Sequence, residues 1–355
     1  PYDPDLDQRG IPSYNTSLVY GGVSFAVLED RKFHNSDDSP AIEQEQTYRN
    51  RQIKFIREWA DNWKGIHMKA VITREPFACL SSETPSQGTN RVAAINTSNV
   101  GQKQPEKLRD KTTNGWPPET RDRLLREIRK AHALIITGGE DPAHVVHHGI
   151  DEWEDASYAF ALPPMIKNHS RGWYVTDTAR AYRMAGTPFT GRFQDAFGNK
   201  ITVKAILNPV STPSLSDPVN HQGSGYGLIR FDKKSQQFTL EAWPVHAHPD
   251  NNSPYPGWPV TLTADENYNS SSSYHLPEIL TRGLTVKPVF KIYPADSQEM
   301  IYGRRATDTL FQPVVFDQSN YTLVVGSPEE GRLDTLLDLE PVNMKKQIIL
   351  DFRKR

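Results

Sequence analysis

A strand–helix–strand pattern over residues 17–73 constrains this chain more than any other feature. The run SLVYGGVSFAVLE (17–29) reads as two short strands around Gly21-Gly22, with Val23, Phe25 and Val27 alternating. Ile53, Ile56, Trp59, Ala60 and Trp63 then recur at spacings of three and four, which predicts a helix over 45–63 with one apolar face. Lys64-Gly65 ends it. Met68 to Thr73 predicts a short buried strand. The alternation continues downstream. Pro117-Pro118-Glu119 opens a helix to about Lys130, with Leu124, Leu125 and Ile128 inward. ALIIT (133–137) is a buried strand ending in Gly138-Gly139, and residues 144–150 form a further strand or turn. This alternation is the grammar of an α/β sheet.

The character changes after residue 150. Residues 151–200 are aromatic and irregular, and strands dominate from Lys200 onward: ITVKAIL, GYGLIRFD, QFTLEAWPV, LTVKPVFKIY, QPVVFD, YTLVVG and QIILDF. The last of these segments have the spacing of a small sandwich. A length of 355 residues suggests roughly two domains. We divide the chain into residues 1–269 and a β-rich module over 270–355. Residues 80–117 and 209–224 are long polar connections, and a connection of such length inside a domain is usually functional or mobile. The 27 prolines exceed the usual share of about 5% and favour many short elements over a helical bundle.

Composition excludes several classes. Lys plus Arg is 41 against 43 Asp plus Glu, so the basic footprint of a nucleic-acid binder is missing. No apolar run approaches the ~20 residues of a membrane-spanning helix. A single cysteine, Cys79, excludes an internal disulfide framework and a thiolate-cage zinc site. Its sequence surroundings do not suit a nucleophile. The opening Pro1-Tyr2-Asp3-Pro4 carries neither Met nor a basic-then-apolar leader, so an internal start is expected: a processed chain or a fragment.

The candidate chemistry lies in histidines and carboxylates. His144, His147 and His148 follow Gly138-Gly139-Glu140-Asp141 at the end of a buried strand, where open α/β sheets place their sites. Imidazoles and carboxylates at such spacing suit a divalent cation. An ordinary acidic turn fits the same residues. His246 and His248, two apart after a predicted strand, would project from one face or form a proline-flanked turn. Gly21-Gly22 is not a phosphate loop, because no Lys-Ser/Thr follows it. Trp243, Tyr255 and Trp258 are candidates for stacking on sugars or for ordinary packing beside prolines. Six N-x-S/T sequons begin at Asn15, Asn96, Asn168, Asn251, Asn269 and Asn320.

Several blocks, in order, resemble one family. YGGVSFAVLEDRKF (20–33), RQIKFIREWADNWKG (51–65), NGWPPETRDRLLREIRKAHALIITGG (114–139), VVHHGIDEW (145–153), GRFQDAFGNKITVKAILNP (191–209) and GYGLIRFDKK (225–234) are similar to the PhoD-type alkaline phosphatases, particularly a long variant of planctomycete-like bacteria. The resemblance implies an α/β (α+β) metallophosphoesterase-like layered β-sandwich with flanking helices, followed by a small all-β sandwich-like domain. It also implies metal ions (Fe, Ca, Zn or Mn) that activate water against a phosphate ester, in an extracellular, periplasmic or cell-surface setting.

The chain departs from that family in two places. The family's opening half, which supplies early Asp and Asn-type ligands, has no counterpart here. Its G-D-Q-H block corresponds to Gly138-Gly139-Glu140-Asp141, so a ligand Asp has become Gly139 and a ligand His has become Asp141. The stretch after Thr73 also lacks the family's histidines. Each such ligand binds metal directly, and losing several removes tight binding. The residues left for a metal are Glu140, Asp141, His144 and His147. The expectation is a homologue with a degraded metal site, a non-catalytic structural or binding protein. The alternative is an active phosphomonoesterase or phosphodiesterase with an altered ligand set. A missing opening half would leave a sheet edge for a homo-oligomer or partner chain to complete.

Overall fold

The computed structural model describes residues 15–29, 42–78, 118–138, 142–165, 189–195, 197–208 and 223–354, with Leu80, Trp116 and Trp173. The elements of the first part are β1 (Thr16–Tyr20), β2 (Val23–Val27), α1 (Ile42–Asp61), β3 (Met68–Thr73), α2 (Pro118–Arg129), β4 (Leu134–Thr137), β5 (His144–His148), β6 (Tyr158–Ala161), β7 (Gly191–Gln194) and β8 (Lys200–Ile206). There follow β9 (Gly225–Asp232), β10 (Gln237–Pro244), β11 (Val260–Thr263), β12 (Tyr274–His275), β13 (Glu278–Arg282), β14 (Val289–Pro294) and β15 (Tyr302–Arg305). The last are β16 (Leu310–Phe311), β17 (Val314–Val315), β18 (Tyr321–Ser327), β19 (Arg332–Leu339) and β20 (Gln347–Asp351).

An eight-stranded sheet organises the described residues between Thr16 and Ile206, in the order β1-β2-β3-β4-β6-β5-β8-β7. Its middle is parallel, β2 with β3, β3 with β4 and β4 with β6. The pairs on either side are antiparallel. Gly21 and Gly22 take φ of +58° and +81°, the conformation a two-residue hairpin needs between Tyr20 and Val23. β1 is an edge strand and all five of its residues are exposed.

The predicted helix faces are the buried ones. Ile53, Ile56, Trp59, Ala60 and Trp63 are buried, as are Leu124, Leu125 and Ile128 of α2. Each fully buried large apolar side chain contributes about 1.5–3 kcal/mol. Apart from Trp63, which packs with Ile66 and Val289, these residues share a core with Val71, Ile135, Val146 and Val203 on one face of the sheet. The opposite face, through Ala70, Leu134, Val145 and Phe160, packs against Phe238, Leu240 and Leu262 of the three-stranded sheet β11-β10-β9. The sheet is therefore covered on both faces, as parallel strands require.

Residues beyond 268 gather around a further core containing Ile279, Phe290, Ile292, Leu323 and Val325. Their sheets are β15-β14-β18-β19, β16-β13-β20 and the pair β12-β17. Among the described residues no helix is long and apolar enough to cross a membrane. Strands β6 and β7 lie within residues 151–200, which read as irregular in sequence. β13, β15 and β19 also escape the periodicity reading. β19 (RLDTLLDL) contains one β-branched residue and owes its extended form to pairing with β18.

Candidate functional site

The histidines of β5 are divided by the pleat. Successive side chains of a strand point to opposite faces. Val146, between His144 and His148, joins the helix-side core, whereas Val145 joins the core facing β9–β11. His144 and His148 thus share the helix side, and His147 shares the other side with Val145. Glu140 and Asp141 lie outside the described residues.

His144 is buried, with Nδ1 2.7 Å from the carbonyl oxygen of Pro142. Burial pushes its pKa down to about 4. His148 is fully buried, with its ring edge-on to Phe77 at 6.1 Å. Its Nδ1 lies 3.3 Å from a guanidinium nitrogen of Arg121. A guanidinium only donates, so Nδ1 accepts and the imidazole proton resides on Nε2, which is buried without a partner. Burial and then Arg121 push this imidazole well below its ordinary value.

His147 lies in a polar row that crosses four strands. Tyr158 of β6, His147 of β5, Thr202 of β8 and Arg192 of β7 are successive cross-strand neighbours. The His147 ring stacks on Tyr158 with centroids 3.9 Å apart. The Tyr158 hydroxyl donates to Glu266 at 3.1 Å. Over the row sits Glu154, delivered by the β5–β6 connection. Its carboxylate accepts from Lys204 at 2.7 Å and Arg192 at 2.9 Å, and lies 4.0 Å from His147 Nδ1. Desolvation raises the Glu154 pKa, but the hydrogen bonds from Lys204 and Arg192 outweigh it and hold the carboxyl at about 2.

Two observations mark this cluster as unusual. Glu154 has φ of +63°, a left-handed conformation that costs a non-glycine residue about 1–3 kcal/mol. The connection is held in shape by Asp155, whose carboxylate accepts from the backbone N–H of Ile150, Asp151 and Glu152 at 2.7, 3.0 and 3.0 Å. The second observation is unpaired polarity. His147 is only 3% exposed, and its ring nitrogens make no hydrogen bond of good geometry, although backbone groups of Glu266 and Ala156 lie close enough to favour its protonated form; the buried Thr202 hydroxyl also lacks a partner among the described residues. Burial, and then the Lys204 ammonium, push the His147 pKa down to about 3.

The cluster holds a neutral imidazole, an ionised carboxylate and two cations at neutral pH. A general base works best with a pKa near the operating pH. Imidazoles at about 3 and 4 are poorly matched to that task. A metal centre needs three or more convergent donors. Among the described residues no group of three or more His, Cys, Asp or Glu side chains could hold a metal ion. His147 and His144 face away from each other, so the described residues do not fit the metal set implied by the resemblance.

The remaining sequence candidates fall elsewhere. β10 ends at Pro244, and His246 and His248 lie exposed in the turns after it, where His248 Nδ1 is 3.5 Å from Asp250. They do not extend a strand face. Trp243, Tyr255 and Trp258 are buried, and the last two belong to the core under the three-stranded sheet. This is the packing alternative, and it removes them as exposed stacking platforms. Cys79 lies outside the described residues.

Sequence reasoning missed Glu154, Tyr158, Arg192, Thr202 and Lys204. Their one local signal is the alternation of Thr202 and Lys204 in the strand KITVKAI, which marks a polar stripe on one face.

No family model and no curated protein matches the chain. A solved structure described as "Structure of PhoD" matches 95% of this chain and 46% of that chain, at 10% sequence identity and a TM-score of 0.34. The chain thus spans about half the length of that structure.

Proposed function

We propose that this chain is a PhoD-like metallophosphoesterase homologue with a degraded metal site, acting as a non-catalytic structural or binding protein at the cell exterior. The observation that carries this reading is the division of His144 and His147 between the two faces of one sheet. Donors on opposite faces cannot share an ion. Gly139, at the family's Asp position, offers no side-chain donor.

Within it, the two sheets that cover each other through Phe160 and Phe238 correspond to the layered sandwich, with α1 and α2 flanking. Residues 270–355 form the added β domain, supported by the separate core around Phe290 and Leu323. The exterior setting follows from the resemblance in sequence. Among the described residues nothing pairs with the outer edge of β1, which suits a partner chain or second copy that completes the sheet.

The test is metal content by mass spectrometry on protein purified without added metal, alongside a generic phosphodiester assay. No metal and no turnover is the expected result. One or two equivalents of iron, zinc, manganese or calcium with turnover, both lost in Asp141→Ala, would replace this reading with an active enzyme of altered ligand set.

A further inference from the structure

His132 reaches from the first part of the chain into the C-terminal core. It follows α2 and takes φ of +48°, a left-handed conformation of the kind that ends helices. Its buried ring lies edge-on to Tyr302 of β15 at 5.1 Å and tilted to Tyr268 at 6.3 Å. Both tyrosines belong to the core around Phe290 and Leu323. Nδ1 is 3.2 Å from the carbonyl oxygen of Ala264, in the 3₁₀ turn Ala264–Asn267. The carbonyl oxygen of His132 accepts from Asn267 Nδ2 at 3.2 Å. One imidazole is thus held by three elements.

The charges around it oppose its protonation. A carbonyl only accepts, so Nδ1 carries the proton of the neutral ring, and Nε2 makes no hydrogen bond of good geometry. From β15 it is faced by the Arg304 guanidinium, and from the 3₁₀ turn by Asp265, which pairs with Arg304. On its own side Arg129 lies over the Tyr268 ring at 4.4 Å. A proton on Nε2 places a second buried cation beside Arg304, offset in part by Asp265 and by the backbone of Ala264 and Asp265. Burial, and then Arg304, hold the His132 pKa at about 4.

The other contacts at this junction are polar. Gly303 stands opposite Lys291 in the β14–β15 ladder, yet its N–H donates to Lys130 O at 2.8 Å. Lys130 Nζ meets Glu299 at 2.7 Å, and this hydrogen bond holds the Glu299 carboxyl below its ordinary value. Acid therefore weakens that pair too. Polar contacts between units of one chain permit relative motion. Arg305, which donates to Trp63 O and Ile66 O, does not titrate and stays attached as the pH falls.

We propose that this junction is an acid-released latch: protonation of His132 parts the end of α2 from β15 while both cores stay folded and Arg305 keeps them joined. Exposing His144, His147 or His148 means breaking ladders of the eight-stranded sheet, whereas exposing His132 means only parting this junction. The open form, with His132 at its ordinary value of 6.5, takes up a proton that the closed form resists until about pH 4. Opening therefore gains roughly a hundredfold between pH 7 and pH 4. The inference does not depend on the phosphoesterase reading, because no residue of β5 takes part.

The test is amide hydrogen exchange on the full chain from pH 7 to pH 4, corrected for the intrinsic exchange rate at each pH. Protection of the Gly303 N–H should fall roughly a hundredfold, while amides of β4 and β18 stay protected. His132→Phe keeps a ring against Tyr302 and cannot take a proton, so its Gly303 protection should fall no more than about tenfold. Unchanged protection of Gly303 in the unsubstituted chain would overturn the proposal. So would loss of protection at Gly303, β4 and β18 together, or an undiminished response in His132→Phe. If His132→Phe is already open at pH 7, the imidazole signal of the unsubstituted chain decides. His132 must take up its proton over the range in which Gly303 loses protection, and an imidazole that stays neutral there overturns the proposal.

Discussion

Arg305 Nε donates to the carbonyl oxygen of Ile66 at 2.6 Å, tying together residues 239 positions apart. The same guanidinium donates to Lys287 O at 2.6 Å and Trp63 O at 2.9 Å, and it pairs with Glu329. It is almost wholly buried. The segment after α1 and the C-terminal strands are therefore joined through one planar, five-donor group that a lysine cannot reproduce. Arg305→Ala leaves three carbonyls and a carboxylate without this partner, and should lower stability by about 2–4 kcal/mol. Arg305→Lys should recover only part of that loss. Urea unfolding midpoints measure both.

Asp155 organises the connection that presents Glu154. Its carboxylate serves three backbone N–H groups and also pairs with Arg129 at 3.3 Å. Hydrogen bonds to a charged group contribute about 1.5–3 kcal/mol each in favourable cases. Asp155→Ala should cost about 2–3 kcal/mol in total and raise amide hydrogen exchange over residues 150–157. Unchanged exchange there would show that the ion pairs of Glu154 alone hold the connection.

His147→Phe should raise the thermal midpoint. The substitution keeps an aromatic ring against Tyr158 and removes two buried nitrogens that make no hydrogen bond of good geometry. Unpaired buried polarity costs about 1–3 kcal/mol by mutational measures, and the slightly larger ring takes back part of the gain. The expected net is about 1 kcal/mol of stabilisation. A lowered midpoint together with lost metal would show that His147 is a ligand.

Stability should fall as the solution is acidified below the ordinary histidine value of 6.5. In the folded chain burial holds His144 at about 4, His147 at about 3 and His132 at about 4, with Lys204 and Arg304 adding to the last two. Between those values and 6.5 the unfolded chain binds more protons than the folded one, so stability rises with pH across that window. Each histidine contributes up to roughly 1.4 kcal/mol per pH unit. Glu154, held at about 2, adds a loss in the same direction below the ordinary carboxylate value. Denaturant midpoints from pH 7 down to pH 5 should decline steadily, and less steeply in His147→Phe. A flat profile would mean that these imidazoles reach solvent.

The helices were legible because their signal is local. Ile53, Ile56, Trp59 and Ala60 lie on one side of any helix with 3.6 residues per turn, whatever surrounds it. The hairpin at Gly21-Gly22 was legible for a similar reason, since a two-residue turn needs residues that accept positive φ. β19 was not legible, because Leu and Asp have little preference for strands and only its ladder with β18 extends it.

The polar cluster was legible in one member only. His147 stood out as part of a histidine group, but the neighbours that define its chemistry are distant in sequence. Arg192 and Lys204 reach Glu154 across 38 and 50 residues. The sequence grouping of His144 with His147 suggested convergence, and the pleat of β5 separates them. Period-two alternation predicts that separation only once residues 144–148 are known to be extended.

Periodicity and turn residues by themselves determined α1, α2 and the hairpin at Gly21-Gly22, because those signals act within a few residues. The tertiary structure decided the order of strands, placing β6 between β4 and β5 although β5 precedes it in the chain. It also decided which face of the sheet each histidine meets. Hydrophobic burial has no direction, so a sequence can mark a residue as buried without naming its neighbours. Those neighbours are set by long-range pairing and packing, and they made His147 a weakly basic imidazole beside Glu154.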